Sequence, residues 1–167
     1  MILISHRGNI DGKKPHLENS PSYIDEAIEL GYDVEVDLWF VDGKFMLGHD
    51  EPQYEIDLKW LEDRNDRLWV HCKDIPSVEY FTENSIKFAE INWFWHENDT
   101  MTLTSFGYVW VYPGRQPILR SIAVMPEREG EDISSCLGIC SDTPMPSRRN
   151  DSPVTFSGSA RKRSPQL

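Results

Sequence analysis

Cysteine is scarce in this chain of 167 residues: Cys72, Cys136 and Cys140 are an odd number, at spacings that fit no zinc or dithiol motif. That leaves no basis for a disulfide framework, and the three read as reduced, mostly buried, small apolar side chains. Long apolar runs are lacking too. No stretch approaches the ~18 consecutive apolar residues of a membrane span. The opening Met1–Ser5 passes straight into polar His6-Arg7-Gly8 without the apolar centre of a signal peptide. The expectation is a cytoplasmic chain with no membrane span. Bases are also few, 17 Lys+Arg against 28 Asp+Glu, for a net charge of -11. Residues 143–167 hold five bases and one acid, so residues 1–142 carry -15. A body of that sign repels nucleic acid, and an anionic small molecule can be held there only by local cations or a metal.

What is present is bulky and apolar in short pieces. Six Trp, six Tyr and seven Phe supply a core. Apolar runs bounded by turns recur at 2–4, 34–40, 45–47, 68–70, 91–95, 109–111, 122–125 and 137–139, and these read as strands. Between the first two, Ser20 and Pro21 open a helix, Ile24, Ala27 and Ile28 form its apolar face, and Gly31 ends it. Weaker helical segments begin at Asp57 and Ser77. Strand-helix-strand repetition predicts an α/β fold with a parallel sheet, read here as a compact (β/α) TIM-type barrel over residues 1–142. Its outer helices are reduced, above all in the second half, where connections are too short to hold them. Residues 143–167, rich in Ser, Pro and Arg, read as a disordered basic tail.

The titratable residues fall where predicted strands end. His6-Arg7 follows the first, Glu35 and Asp37 lie in the second, His49-Asp50 follows a hairpin, His71 and Lys73 close the next, and His96 to Asp99 the one after. In a parallel α/β sheet such ends share one rim, where groups from separate strands converge. Glu35 and Asp37, two apart, leave one face of a strand about 6 to 7 Å from each other and can grip a single cation. His71 and Lys73 repeat that spacing. Two carboxylates with an imidazole or water favour one divalent cation, Mg²⁺, Ca²⁺ or Mn²⁺, over a structural zinc. His96 and Asp99 read either as secondary pocket groups or as rim contacts with solvent. The aromatic pairs Trp93/Trp95 and Tyr108/Trp110 read as core.

The run Ser5-His-Arg-Gly8, Glu18-Asn-Ser20, Gly31-Tyr-Asp-Val-Glu-Val-Asp37, Asp42-Gly43 and Gly48-His-Asp50 resembles the glycerophosphodiester phosphodiesterase family of phospholipase-C-like barrels. Beyond residue 50 the resemblance thins to Lys73 and to Gly138-Ile-Cys-Ser-Asp142, similar to the family's last strand. It implies that His6 and His49 are the acid–base pair and that Glu35 and Asp37 ligate the divalent ion. It further implies that Arg7 and Lys73 hold the phosphoryl oxygens and that Glu18 supports the site. One position departs: the family has Glu two residues before the lysine, where this chain has His71, which removes a negative charge from the ligand set.

The implied activity is hydrolysis of a small-molecule glycerophosphodiester to glycerol 3-phosphate and an alcohol. The chemistry suits the residue types: cations lower the barrier to attack on an anionic diester, and two imidazoles handle a proton each. Two other readings stand beside it. One is a non-catalytic barrel that binds a phosphorylated ligand; the other is a phospholipid-headgroup lyase that releases a cyclic phosphate. Self-association is left open.

Overall fold

The computed structural model describes residues 1–116 and 118–144. Residues 145–167, most of the segment read as a basic tail, lie outside them. Strand β1 (Ile2–His6) is the centre of the sheet. It pairs in parallel with β2 (Asp33–Val41) on one side and with the last strand, β10 (Gly138–Ser141), on the other. On the β10 side the path continues in parallel to β9 (Ser121–Val124) and β8 (Val109–Val111), and then antiparallel to β7 (Met101–Leu103). Beyond β2, the parallel strands β5 (Leu68–Cys72) and β6 (Asn92–Trp95) extend the sheet the other way. The far half of β2 also carries an antiparallel hairpin to β3 (Lys44–Leu47), followed by β4 (Tyr54–Ile56). The turn between β2 and β3 is Asp42-Gly43, both at positive φ, the backbone that a two-residue hairpin with matching twist requires.

The expected (β/α) TIM-type barrel is not what forms. The described residues build a curled mixed sheet of ten strands, a half-barrel, with only three short α-helices. The reason lies in the connections. After β6 the described residues of the links at 96–100, 104–108, 112–120 and 125–137 hold no α-helix, and β3, β4 and β7 run antiparallel to their partners. Among the described residues the α-helices belong to the first half: α1 (Pro21–Glu29), α2 (Leu58–Glu62) and α3 (Ile75–Glu83). Helices α2 and α3 are capped by the side chains of Asp57 and Asp74, whereas Ser20 caps α1 by position without a side-chain bond. None of the three is long and apolar enough to cross a membrane.

Alternation along the strands sorts the core into two layers. Val34, Val36, Leu38 and Val70 face outward and pack with Ile24, Ala27 and Phe81 of α1 and α3. Burial of each such side chain contributes about 1.5–3 kcal/mol. On the concave side Ile4, Trp69, Phe94, Trp110, Ile122 and Cys140 fill the curl. Phe94 meets Trp110 at 4.7 Å between ring centres, and Ser105 and Thr102 bond to β6 backbone, so the curl brings β6 against the β7–β8 end although no ladder joins them among the described residues. Among the described residues, the cover on the outer face of the second half is small, Ile133 and Cys136 of the 125–137 loop on Ala123 and Ile139. All three cysteines are buried and free.

Candidate active site

Strand register alone sets the first contacts of the site. His6 lies opposite Glu35, and Asp37 opposite His71, each pair one strand spacing apart. Because β1, β2 and β5 are parallel, the concave side at their C-terminal ends becomes a cavity of about 570 Å³. His6, Arg7, Glu35, His49, His71 and Lys73 all line it. Asp37, with no exposed surface, sits in its floor among these groups. Glu18 is buried behind Arg7, where it accepts from Arg7 Nη1 at 3.2 Å and from Asn9 Nδ2 at 2.9 Å. Asp99 lies exposed outside the cavity lining, whereas His96 is part of it.

Asp37 is the most heavily engaged acid. Its Oδ2 accepts from Asn19 Nδ2 at 2.9 Å and is ion-paired with Arg7 Nε at 2.9 Å; its Oδ1 faces His71 Nδ1 at 3.0 Å and Lys73 Nζ at 3.5 Å. Burial opposes its charge, but His71, Arg7 and Lys73 outweigh it and hold the carboxyl well below the usual carboxylate range. Glu35 has the opposite fate. Burial first, and then the neighbouring Asp37 charge, push its pKa well up. Its Oε2 is buried without a hydrogen-bond partner, and the other oxygen lies 3.8 Å from His71 Nδ1. One donor atom each from Glu35, Asp37 and His71 lie within 4.8 Å of one another. Such a set, with an acidic oxygen left unsatisfied, fits a divalent cation.

Backbone strain helps to aim Arg7. Its φ of 57° is left-handed, a conformation that costs a non-glycine residue about 1–2 kcal/mol. Hydrogen bonds from its N–H to Glu35 O and from Asn19 N–H to its own carbonyl hold it there. Burial disfavours the guanidinium charge, yet Asp37, Glu35 and Glu18 together keep its pKa above the ordinary value.

The two sequence-assigned catalytic histidines differ in setting. His6 is nearly buried; its Nδ1 is 2.8 Å from Asp142 Oδ1 and its Nε2 4.0 Å from Glu35. Asn9 Nδ2 donates to the same Asp142 oxygen at 2.8 Å, so a chain Glu18–Asn9–Asp142–His6 underlies this side of the cavity. Burial lowers the His6 pKa, partly offset by Asp142. His49 has a side chain 40% exposed and pairs through Nδ1 with Asp50 at 2.6 Å. Gly48 carries it at φ 151°, where a Cβ would come within 2.1 Å of the Glu51 carbonyl oxygen, and Trp39 Nε1 donates to Gly48 O at 2.6 Å.

Comparison with family models, with curated proteins and with solved structures gave no match.

Several contributors escape a reading of the sequence. Asn9 and Asn19 supply the hydrogen bonds that fix Asp142, Glu18 and Asp37, and Asn19 does so from a left-handed backbone that asparagine tolerates. Asp142 lies in a motif visible in the sequence, but its bond to His6 depends on β10 closing against β1. The opposite wall is aromatic: His71 stacks on His96 at 4.3 Å, and Tyr112 hydroxyl bonds the His96 ring. Burial, and then His71, lower the His96 pKa to about 4.

Proposed function

We propose that this chain is a metal-dependent phosphodiesterase that hydrolyses a glycerophosphodiester to glycerol 3-phosphate and an alcohol. One observation carries the reading: two imidazoles, a guanidinium, an ammonium and the Glu35–Asp37–His71 donor set surround a single cavity although they are scattered over 67 residues of chain between His6 and Lys73. The resemblance of residues 4–50 to the glycerophosphodiester phosphodiesterases supports the same chemistry.

Glu35, Asp37 and His71 would hold the divalent ion, and a bound ion would supply Lewis-acid stabilisation of the charge on the phosphoryl oxygens. Arg7 and Lys73 reach the cavity from either side of Asp37 and would hold the non-bridging oxygens of the diester. Asp142 favours the His6 tautomer with its proton on Nδ1, leaving the Nε2 lone pair to accept a proton from the attacking water. As water oxygen bonds to phosphorus, the bond from phosphorus to the alcohol oxygen breaks. That oxygen takes a proton from Nε2 of protonated His49, whose Nδ1 is held by Asp50. Water has then been added across one P–O bond, and exchange of a proton with solvent resets both rings. Each proton transfer contributes on the order of 10²- to 10⁴-fold.

The test is direct. Protein stripped with a chelator and resupplied with Mg²⁺, Ca²⁺ or Mn²⁺ should release glycerol 3-phosphate from glycerophosphocholine or turn over a bis-aryl phosphodiester. Absence of turnover with every ion would overturn the hydrolase reading, and release of a cyclic phosphate as the final product would reassign the chain as a lyase.

A further inference from the structure

The cavity holds more positive charge than one diester needs. Besides Arg7 and Lys73, Lys13 and Arg128 line it. The first pair is committed to Asp37, with Arg7 also bound to Glu18. Lys13 and Arg128 are exposed, and neither forms an ion pair among the described residues. Arg128 acts on the cavity all the same, since its charge is among the influences that lower the Asp142 pKa.

Topology puts the two together. Lys13 stands in the loop that leaves β1, and Arg128 in the 3-10 turn Pro126–Arg128 that leaves β9. Strand β10 lies between β1 and β9, so these loops rise from strands two spacings apart, about 10 Å. The loop after β10 is tied to the first of them by Gly12 N–H donating to Asp142 O at 2.9 Å. The cation pair therefore flanks the His6–Asp142 side of the cavity, away from His49 and Lys73, which belong to the β2–β3–β5 side. In a body of strongly negative charge, two uncommitted bases on one side of a cavity mark a place where an anion is drawn in.

We infer that this rim is a second anion subsite and that the preferred substrate is a phosphodiester whose esterifying group carries a further phosphate monoester. The inference rests on the phosphodiesterase reading for its first subsite and adds the second. The diester meets Arg7 and Lys73; the terminal phosphate meets Lys13 and Arg128. Two exposed charge pairs of ordinary strength amount together to about tenfold in affinity. Being exposed, that preference fades as salt rises.

Two probes that differ in one group test it: glycerophosphoglycerol, and the same diester with a phosphate on its terminal glycerol hydroxyl. Binding of both to the full chain is measured by calorimetry in EDTA at low salt, and kcat/KM for both is measured with the activating metal. The expected result is about tenfold tighter binding and a correspondingly higher kcat/KM for the phosphorylated probe. The preference should be lost in a Lys13→Ala/Arg128→Ala variant and reduced at 0.5 M salt. Equal binding of the two probes by the unaltered chain would overturn the inference, as would a preference that survives in the double variant. Turnover of neither probe under any metal would instead count against the phosphodiesterase reading, while the binding ratio still decides the subsite.

Discussion

His6 Nδ1 and Asp142 Oδ1 lie 2.8 Å apart across 136 positions of chain, a contact made when the last strand pairs with the first. Asp142 does for His6 what no neighbour in sequence can: it selects the tautomer and fixes the ring plane. Asn in place of Asp142 keeps the shape but presents either a weaker acceptor or an N–H to the ring nitrogen. Loss of an outer partner that orients a histidine typically costs about 10- to 100-fold. Asp142→Asn is therefore expected to lower kcat by about that factor with little change in KM, measured by steady-state kinetics on glycerophosphocholine. A variant with full kcat would show that Asp142 does not position the base.

His71 offers a second lever. It stands 3.0 Å from Asp37 and 3.8 Å from Glu35 and contributes a neutral nitrogen to the donor set. A carboxylate there adds a negative charge and a hard oxygen, which suits Mg²⁺ and Ca²⁺. His71→Glu is expected to tighten Ca²⁺ about tenfold or more relative to the unaltered chain, read by calorimetric titration. Weaker binding of Ca²⁺ to the variant would place the ion away from residue 71.

Much of this site is visible in the sequence because it depends on local rules. Glu35 and Asp37 share a face through the two-residue period of a strand, and Asp42-Gly43 announces the hairpin that returns the chain toward His49. Eight of the strands lie where apolar runs put them, and α1 and α2 start behind the expected Ser20 and Asp57, whereas α3 starts two residues before the expected Ser77, at Ile75, because Asp74 caps it. The closure does not follow from such rules. Short apolar runs after residue 92 look alike whether the connection between them is a helix, a hairpin or a loop, and for that reason the TIM-type barrel they suggest is the wrong architecture. Strands Tyr54–Ile56 and Met101–Leu103 are three residues each and take their identity from a partner strand. Asn9 and Asn19 are equally silent in sequence, since their worth comes from acids that the fold carries to them.

Gly48 links the hairpin to His49. At its φ of 151° an added Cβ would stand 2.1 Å from Glu51 O, which leaves no room for a side chain unless the backbone shifts. His49 is the next residue and its ring pairs with exposed Asp50, so a backbone shift at 48 carries it. Gly48→Ala is thus expected to reduce kcat by about 10²-fold, the scale set by misplacement of a catalytic group by an ångström. It should also lower stability by about 1–3 kcal/mol, the usual range for strained backbone, read from urea unfolding. Unchanged kcat would mean that His49 does not donate the proton.

Acid should loosen the fold through its histidines. His6, His71 and His96 all have folded pKa values below the ordinary 6.5, burial being the first cause for each, with His96 lowered to about 4. Between those folded values and 6.5 the unfolded chain binds protons that the folded chain refuses, so stability falls as pH falls through that window. Asp142 and Asp37 partly restrain His6 and His71, while Lys73 and Arg7 act against the charge on His71. Glu35 works the other way: its raised pKa means that the folded chain holds a proton the unfolded chain has released, which favours the fold in acid. Glu35 and the histidines thus pull the acid response in opposite directions, and His96, lowered to about 4, isolates one side of it. In EDTA, the change in urea midpoint from pH 7 to pH 5 should be less destabilising in a His96→Gln variant than in the unaltered chain, because the variant loses a group that refuses its proton when folded. An identical or steeper fall in the variant would show that His96 does not carry that part of the acid response.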